Sequence, residues 1–230
     1  MKKPLVDYRQ FRPGKLNDPE FAHLKLLGGW IVYFAMYFVT ENLIPAGACH
    51  VMHCTLDDII PFNEFFAIFY VSWYFLTFGS LLYFVLYDIR SFSNLQKFIM
   101  VTQAVAVIIY IVYPSRQDLR PESFERENVL TALMGAIYAF DTSTGVCPSL
   151  HVAFSLGIAS VWLKRKESTK LWRGTVCIWA FLICISTAFV KQHSVLDILA
   201  ALPVGLLAEM IVYAPEIKKR RALLRSHGKG

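Results

Sequence analysis

The sequence predicts an all-α integral membrane protein, a six-transmembrane-helix bundle with both termini in the cytoplasm, and three observations carry that prediction. The 230 residues are 56% hydrophobic and 15% aromatic but only 17% charged, above the roughly 45–50% apolar content of soluble domains. That composition excludes a disordered polymer, a coiled coil and a small disulfide scaffold, and it argues against a water-soluble enzyme. The apolar residues fall in runs near the about 20 residues needed to cross ~30 Å of hydrocarbon. The charges fall between those runs. With the N-terminus inside, 19 of the 23 Lys and Arg lie in cytoplasmic segments, and the outer side keeps only Arg116, Arg120, Arg126 and Lys191. This asymmetry orients the chain. It also accounts for the net charge of +6 without a nucleic-acid partner.

The first span, 26–44, follows a basic tail, 1–25, carrying Lys2, Lys3, Arg9, Arg12, Lys15 and Lys25. No small-residue cleavage site follows, so the span reads as an uncleaved anchor rather than a secretory signal. The second, 65–87, is 23 residues without a charge, and the third, 98–113, ends at Pro114. Residues 128–140 are uncharged but too short to cross. Val129, Leu133, Ile137 and Phe140 recur at helical spacing, which predicts an amphipathic helix at the outer surface. Such a helix either flanks the motifs described next or packs as a loop helix away from them. Spans at 148–163, 174–190 and 195–214 complete the membrane domain, 26–214, and 215–230 form a basic C-tail. No repeat or Pro/Gly-rich linker divides the chain.

Under this topology three polar clusters converge on the outer ends of spans. The first runs from Tyr113 through Arg116 and Arg120 to Pro121, the second is Cys147-Pro148-Ser149-Leu150-His151, and the third runs from Ser186-Thr187 through Lys191 and His193 to Asp197. His193 and Asp197 stand one helical turn apart. A carboxylate there can hold one imidazole nitrogen and leave the other as a nucleophile or base, or the pair simply caps a helix. Pro148 suits the first position of a helix, whose free N–H groups, with Ser149, form an anion site. The alternative is a serine that only caps. His151 in the first turn can act as a general acid. Arg116 and Arg120 either grip phosphate oxygens or anchor at the interface beside Asp118 and Glu122.

In this order the three clusters resemble the motifs of the type-2 phosphatidic acid phosphatase superfamily, over 113–197. The resemblance implies a six-helix core, metal-independent and cofactor-free chemistry through a phosphohistidine, a lipid phosphate substrate drawn from the bilayer, and an active site on the extracytoplasmic face (luminal in a eukaryote). His193 is then the nucleophile, Asp197 orients it and His151 protonates the leaving group. Arg120, Ser149 and the N–H groups near Leu150 hold the phosphoryl oxygens. Three positions depart from the pattern: Tyr113 stands where a Lys is usual, Leu150 where a Gly is usual, and Thr187 where an Arg is usual. Two phosphate-gripping cations are therefore missing, and Arg116 and Lys191 are the expected substitutes. Pro-Ser-Leu-His with Ser-Thr is similar to the inositol-phosphorylceramide synthase branch, whose members transfer a phospho-head group, as sphingomyelin synthases do. The expectation is thus a lipid phosphate phosphatase or a head-group phosphotransferase.

A non-catalytic lipid-phosphate-binding scaffold needs no His-x-x-x-Asp pair, and a transporter carries its ionisable groups near mid-membrane. Both readings fit less well. The remaining features have plain and functional readings. Cys49, His50, His53 and Cys54 bind a metal, pair as a disulfide between the two Cys, or remain free. Asp57, Asp58 and Glu64 keep their loop outside. Cys177 and Cys184 fill a span as small apolar groups. Glu209, an acid within the last span, pairs with an interfacial base.

Overall fold

The computed structural model describes residues 3–227, with side chains described through 214. It is all-α apart from one two-residue parallel pair, β1 (His50–Val51) with β2 (Ser115–Arg116). The helices are α1 (Gly28–Leu43), α2 (Thr55–Ile59), α3 (Ala67–Tyr87), α4 (Ile89–Val112), α5 (Val129–Phe140), α6 (Leu150–Lys164), α7 (Lys170–Phe189) and α8 (Val195–His227). Among the described residues five helices are long and apolar enough to cross a membrane: Ala22–Leu43, Glu64–Tyr87, Ile89–Val112, Lys170–Phe189 and Val195–Ala214. Their outward faces expose Ile31, Phe38, Phe75 and Leu206, the surface a lipid solvent requires.

The run expected at 148–163 is different in kind. It becomes α6, 15 residues, or about 22 Å at ~1.5 Å per residue. This helix lies at the centre, packed on α3, α4, α7 and α8, and buries Val152, Ala153, Phe154, Ile158 and Val161. Helices in lipid associate through close packing rather than hydrophobic drive. Gly157 supplies that here, because a Cβ at this position would lie 2.4 Å from the Phe98 ring of α4. Hydrogen bonds across the bundle add to it: Trp162 donates to Ser80 at 3.0 Å and Trp179 to Ser72 at 2.7 Å.

The third span begins nine residues earlier than expected, at Ile89 rather than 98. Arg90, Asn94, Gln96 and Lys97 give the stretch a loop-like composition, but Asp88 caps it by accepting from the Ser91 N–H at 3.0 Å. Phe92, Leu95 and Gln96 are buried. Gln96 accepts from Trp30 and donates to the Leu26 carbonyl, each at 3.2 Å, which ties α1 to α4. At the same end Arg165 bonds Asp88 at 3.0 Å. Glu209 pairs with Lys164, as its interfacial position suggests, and also accepts from Ser160 at 2.7 Å. Of the basic tail expected at 215–230, residues 215–227 continue α8 in their backbone; their side chains, and residues 228–230 altogether, lie outside the described residues.

At the opposite end α5 forms as expected. Asn128 accepts from the N–H groups of Leu130 and Thr131 at 2.8 and 3.1 Å, and Thr131 accepts in return from Asn128, a capping box. Met134 packs with Tyr70 and Val190 beneath it. The β1–β2 pair ties the loop after α1 to the loop after α4.

Candidate active site

The site forms where α6 begins, between the α4–α5 connection and the α7–α8 turn. Thr187 closes that turn by accepting from the N–H groups of Gln192 and His193 at 3.0 and 3.1 Å, while Lys191 takes a left-handed φ of 52°. Ser194 then caps α8, accepting from Leu196 at 3.2 Å. His193 Nδ1 consequently faces Asp197 Oδ2 at 3.3 Å. Asp197 is fully buried and accepts from the Ser194 N–H at 3.0 Å. Oδ2, the acceptor of the Ser194 N–H, accepts from Nδ1 as well, which leaves the His193 lone pair on Nε2.

The start of α6 is fixed to the same turn. The Ser149 N–H donates to the Asp197 carbonyl at 3.1 Å, and its hydroxyl accepts from Val152 at 3.5 Å. Ser149 is thus the cap and Leu150 the first helical residue. Pro148, expected at that first position, instead precedes the cap, after a cis bond from Cys147. The reason is that the serine hydroxyl, not the proline ring, closes the first turn. With Val152 and Ala153 bonded to Ser149, the N–H groups of Leu150 and His151 are the donors that the helix itself does not satisfy.

His151 lies between Tyr70 and Trp73, each with ring centroids 4.5 Å away, and its ring is 5.8 Å from that of His193. Its Nε2 is buried and has no partner among the described residues. Both histidines line a cavity of about 480 Å³ with Leu150, Gln192 and Asp141. The cavity is walled by Tyr33, Tyr37 and Phe34 from α1 and by Ala136, Ile137 and Phe140 from α5. The α5 helix therefore flanks the site, and Tyr138 ties it to the α7–α8 turn by donating to Val190 at 2.7 Å.

The expected phosphate-gripping cations are placed otherwise. Arg120 donates to the carbonyls of Tyr138, Asp141 and Thr142 and to Gln192 Oε1, at 2.7–3.1 Å, with its guanidinium over the Tyr138 ring. It braces the wall of the site. Lys191 donates to the carbonyls of Asp57 and Ile60 at 2.7 and 2.5 Å. Burial pushes its ammonium below its ordinary pKa, while Asp57 and Asp58 oppose that. Arg116 pairs with Asp118 at 3.0 Å, and Tyr113 stacks on His50 at 4.2 Å. None of Arg116, Lys191 or Tyr113 lines the cavity of the two histidines. Carbonyl and carboxylate acceptors captured these donors, and spacing along the chain carries no record of such partners.

Three residues escape the sequence reading. Asp57 is buried rather than merely holding its loop outside, and accepts from Ser194 Oγ at 2.5 Å, the Val195 N–H at 2.8 Å and the Cys54 N–H at 2.8 Å. Burial raises its carboxyl, but those hydrogen bonds outweigh burial and hold it below the usual range. Asp141 closes α5 beside His193, and burial pushes its carboxyl above the usual range, against the pull of Arg120 and His193. Gln192 is 3% exposed. The only signal for Asp57 is its place three residues after Cys54, a capping spacing.

The compact Cys/His cluster is dispersed among separate partners. His50 stacks on Tyr113, His53 bonds Asp58 at 2.8 Å, and Cys49 and Cys54 are both free. No group of three or more His, Cys, Asp or Glu able to hold a metal ion occurs among the described residues. Compared with models of known families, with curated proteins and with solved structures, the chain matches none.

Proposed function

We propose that the chain is a membrane enzyme of phosphoryl transfer, a metal-independent lipid phosphate phosphatase working through a phosphohistidine. The observation that carries this reading is the cavity shared by His193, backed by Asp197, and His151, whose Nε2 has no partner among the described residues. His193 Nε2 attacks phosphorus as the ester P–O bond breaks, and His151 gives its proton to the departing alkoxide. Water, deprotonated by His151, then attacks phosphorus. The P–N bond breaks, and phosphate leaves with His193 regenerated. The N–H groups of Leu150 and His151 and the positive end of α6 favour the phosphoryl charge.

A lipid substrate is supported by the cavity's lining, which draws on α1, α3 and α5 and is mostly aromatic and aliphatic. In this reading α6 is the sixth span of the bundle, enclosed by the other helices. The 19 basic residues of the inner segments support a topology with both termini in the cytoplasm and the site on the outer face. If a lipid alcohol rather than water resolves the phosphohistidine, the same machinery is a head-group transferase.

The test is phosphate release from a panel of lipid phosphates in detergent, with chelator, for wild type and His193→Ala, with and without acceptor alcohols. We expect release without acceptor, insensitive to chelator and abolished by His193→Ala. Head-group transfer with little release would make the protein a transferase, and activity retained by His193→Ala would remove the mechanism.

A further inference from the structure

Resting on the phosphoryl-transfer reading, we infer that Gln192 is a substrate-binding residue whose side-chain amide N–H donates to the phosphoryl oxygens, in the role left open by the missing cations. Lys191, Arg116 and most of Arg120 are committed to other acceptors. Gln192 is the polar residue that lies between Arg120 and His193 and also lines the cavity. Its orientation is determined by chemistry. A guanidinium only donates, so the 2.7 Å contact with Arg120 Nη2 must be made by the Gln192 carbonyl oxygen. The amide nitrogen is then turned away from Arg120.

That nitrogen is buried and has no partner among the described residues. A buried unpaired donor is costly, and this one belongs to a side chain that lines the cavity beside the proposed nucleophile. The charged hydrogen bond to the Gln192 carbonyl also polarises the amide, making its N–H groups stronger donors. Arg120 thus acts on the phosphoryl group through Gln192 and is a positioning residue. The backbone holds the arrangement, because the Gln192 N–H is fixed to the Thr187 carbonyl at 3.0 Å.

The experiment compares wild type, His193→Ala, Gln192→Glu and Gln192→Leu in two measurements: turnover of a lipid phosphate, and binding of inorganic phosphate to the purified full chain. Gln192→Glu keeps the acceptor for Arg120 and removes both N–H donors, so its thermal midpoint should match wild type. Its phosphate affinity should fall more than tenfold, and its kcat/KM by about 100-fold, the size of effect seen when a donor to a transition-state oxyanion is removed. Gln192→Leu should lose phosphate affinity less, lacking the added negative charge. Wild-type phosphate affinity in both variants overturns the assignment, and if His193→Ala is inactive in the same series, the phosphohistidine reading stands without it. If wild type turns over no lipid phosphate, that reading falls and phosphate binding alone decides for or against Gln192.

Discussion

Because His151 is gripped by Tyr70 and Trp73 rather than by a carboxylate, its contribution can be separated from that of His193 by the leaving group. An alkoxide leaving a lipid phosphate needs a proton, whereas the phenolate of an activated aryl phosphate does not. His151→Ala should therefore lose about 10²–10⁴-fold on the lipid substrate and far less on the aryl ester, while His193→Ala loses both. Equal losses on both esters would show that His151 shapes the cavity and donates no proton. At this scale the sequence was informative wherever chemistry depends on local spacing. His193 and Asp197 meet across the start of α8, the histidine just before the Ser194 cap and the aspartate in the first turn, and Ser149 caps because serine at a helix start does so. It was uninformative wherever a side chain chooses among distant acceptors. Lys191 finds the Asp57 carbonyl 134 positions away, and no pattern around Lys191 announces this.

The element that matters most beyond the helices of the bundle is the five-residue α2. Its Asp57 receives the hydroxyl of Ser194 and the N–H of Val195, and the carbonyls of Asp57 and of Ile60, just past the helix, receive Lys191. The loop between α1 and α3 thereby clamps the turn that carries His193 to the start of α8. Hydrogen bonds to charged groups contribute about 1.5–3 kcal/mol, so Asp57→Ala should lower both stability and turnover. The pH sign follows from the depressed carboxyl of Asp57. Its stabilisation is present above the ordinary carboxyl value of about 3.9 and is lost as pH falls through the lower folded value. Acid unfolding followed by circular dichroism should begin at higher pH in Asp57→Ala, and identical acid profiles would show that the clamp carries no stability. The composition of the loop suggested only that acids kept it outside, because a five-residue helix buries its acid through tertiary contacts alone. The early start of α4 has the same origin: Asp88 and the buried Gln96 make a polar stretch helical.

Across the whole molecule, α1 packs on α4 but leaves a cleft against α3. One part of this cleft is the cavity of the histidines. A second cavity of about 660 Å³ continues it, lined almost wholly by apolar residues from Leu24 and Leu27 to Leu86 and Phe92. Trp30, Phe34 and Phe78 line both. From Tyr70 to Leu86 along α3 the two cavities extend about 24 Å at ~1.5 Å per residue, deeper than the ~15 Å of one leaflet in a ~30 Å hydrocarbon core. In the proposed reading, a lipid whose phosphate meets His193 lays its apolar chain along these two cavities, with Phe78 lining both. Phe78 is half exposed and lines both cavities, so truncating it widens their junction without emptying the core. Phe78→Ala should leave kcat on a short-chain phosphate near the wild-type value while raising kcat/KM several-fold for chains long enough to cross the junction. Measuring kcat/KM over a series of chain lengths decides the matter. A profile unchanged by Phe78→Ala would mean that the chain leaves sideways into the outer leaflet from the first cavity, and that the inner half of the cleft serves only the packing of α1.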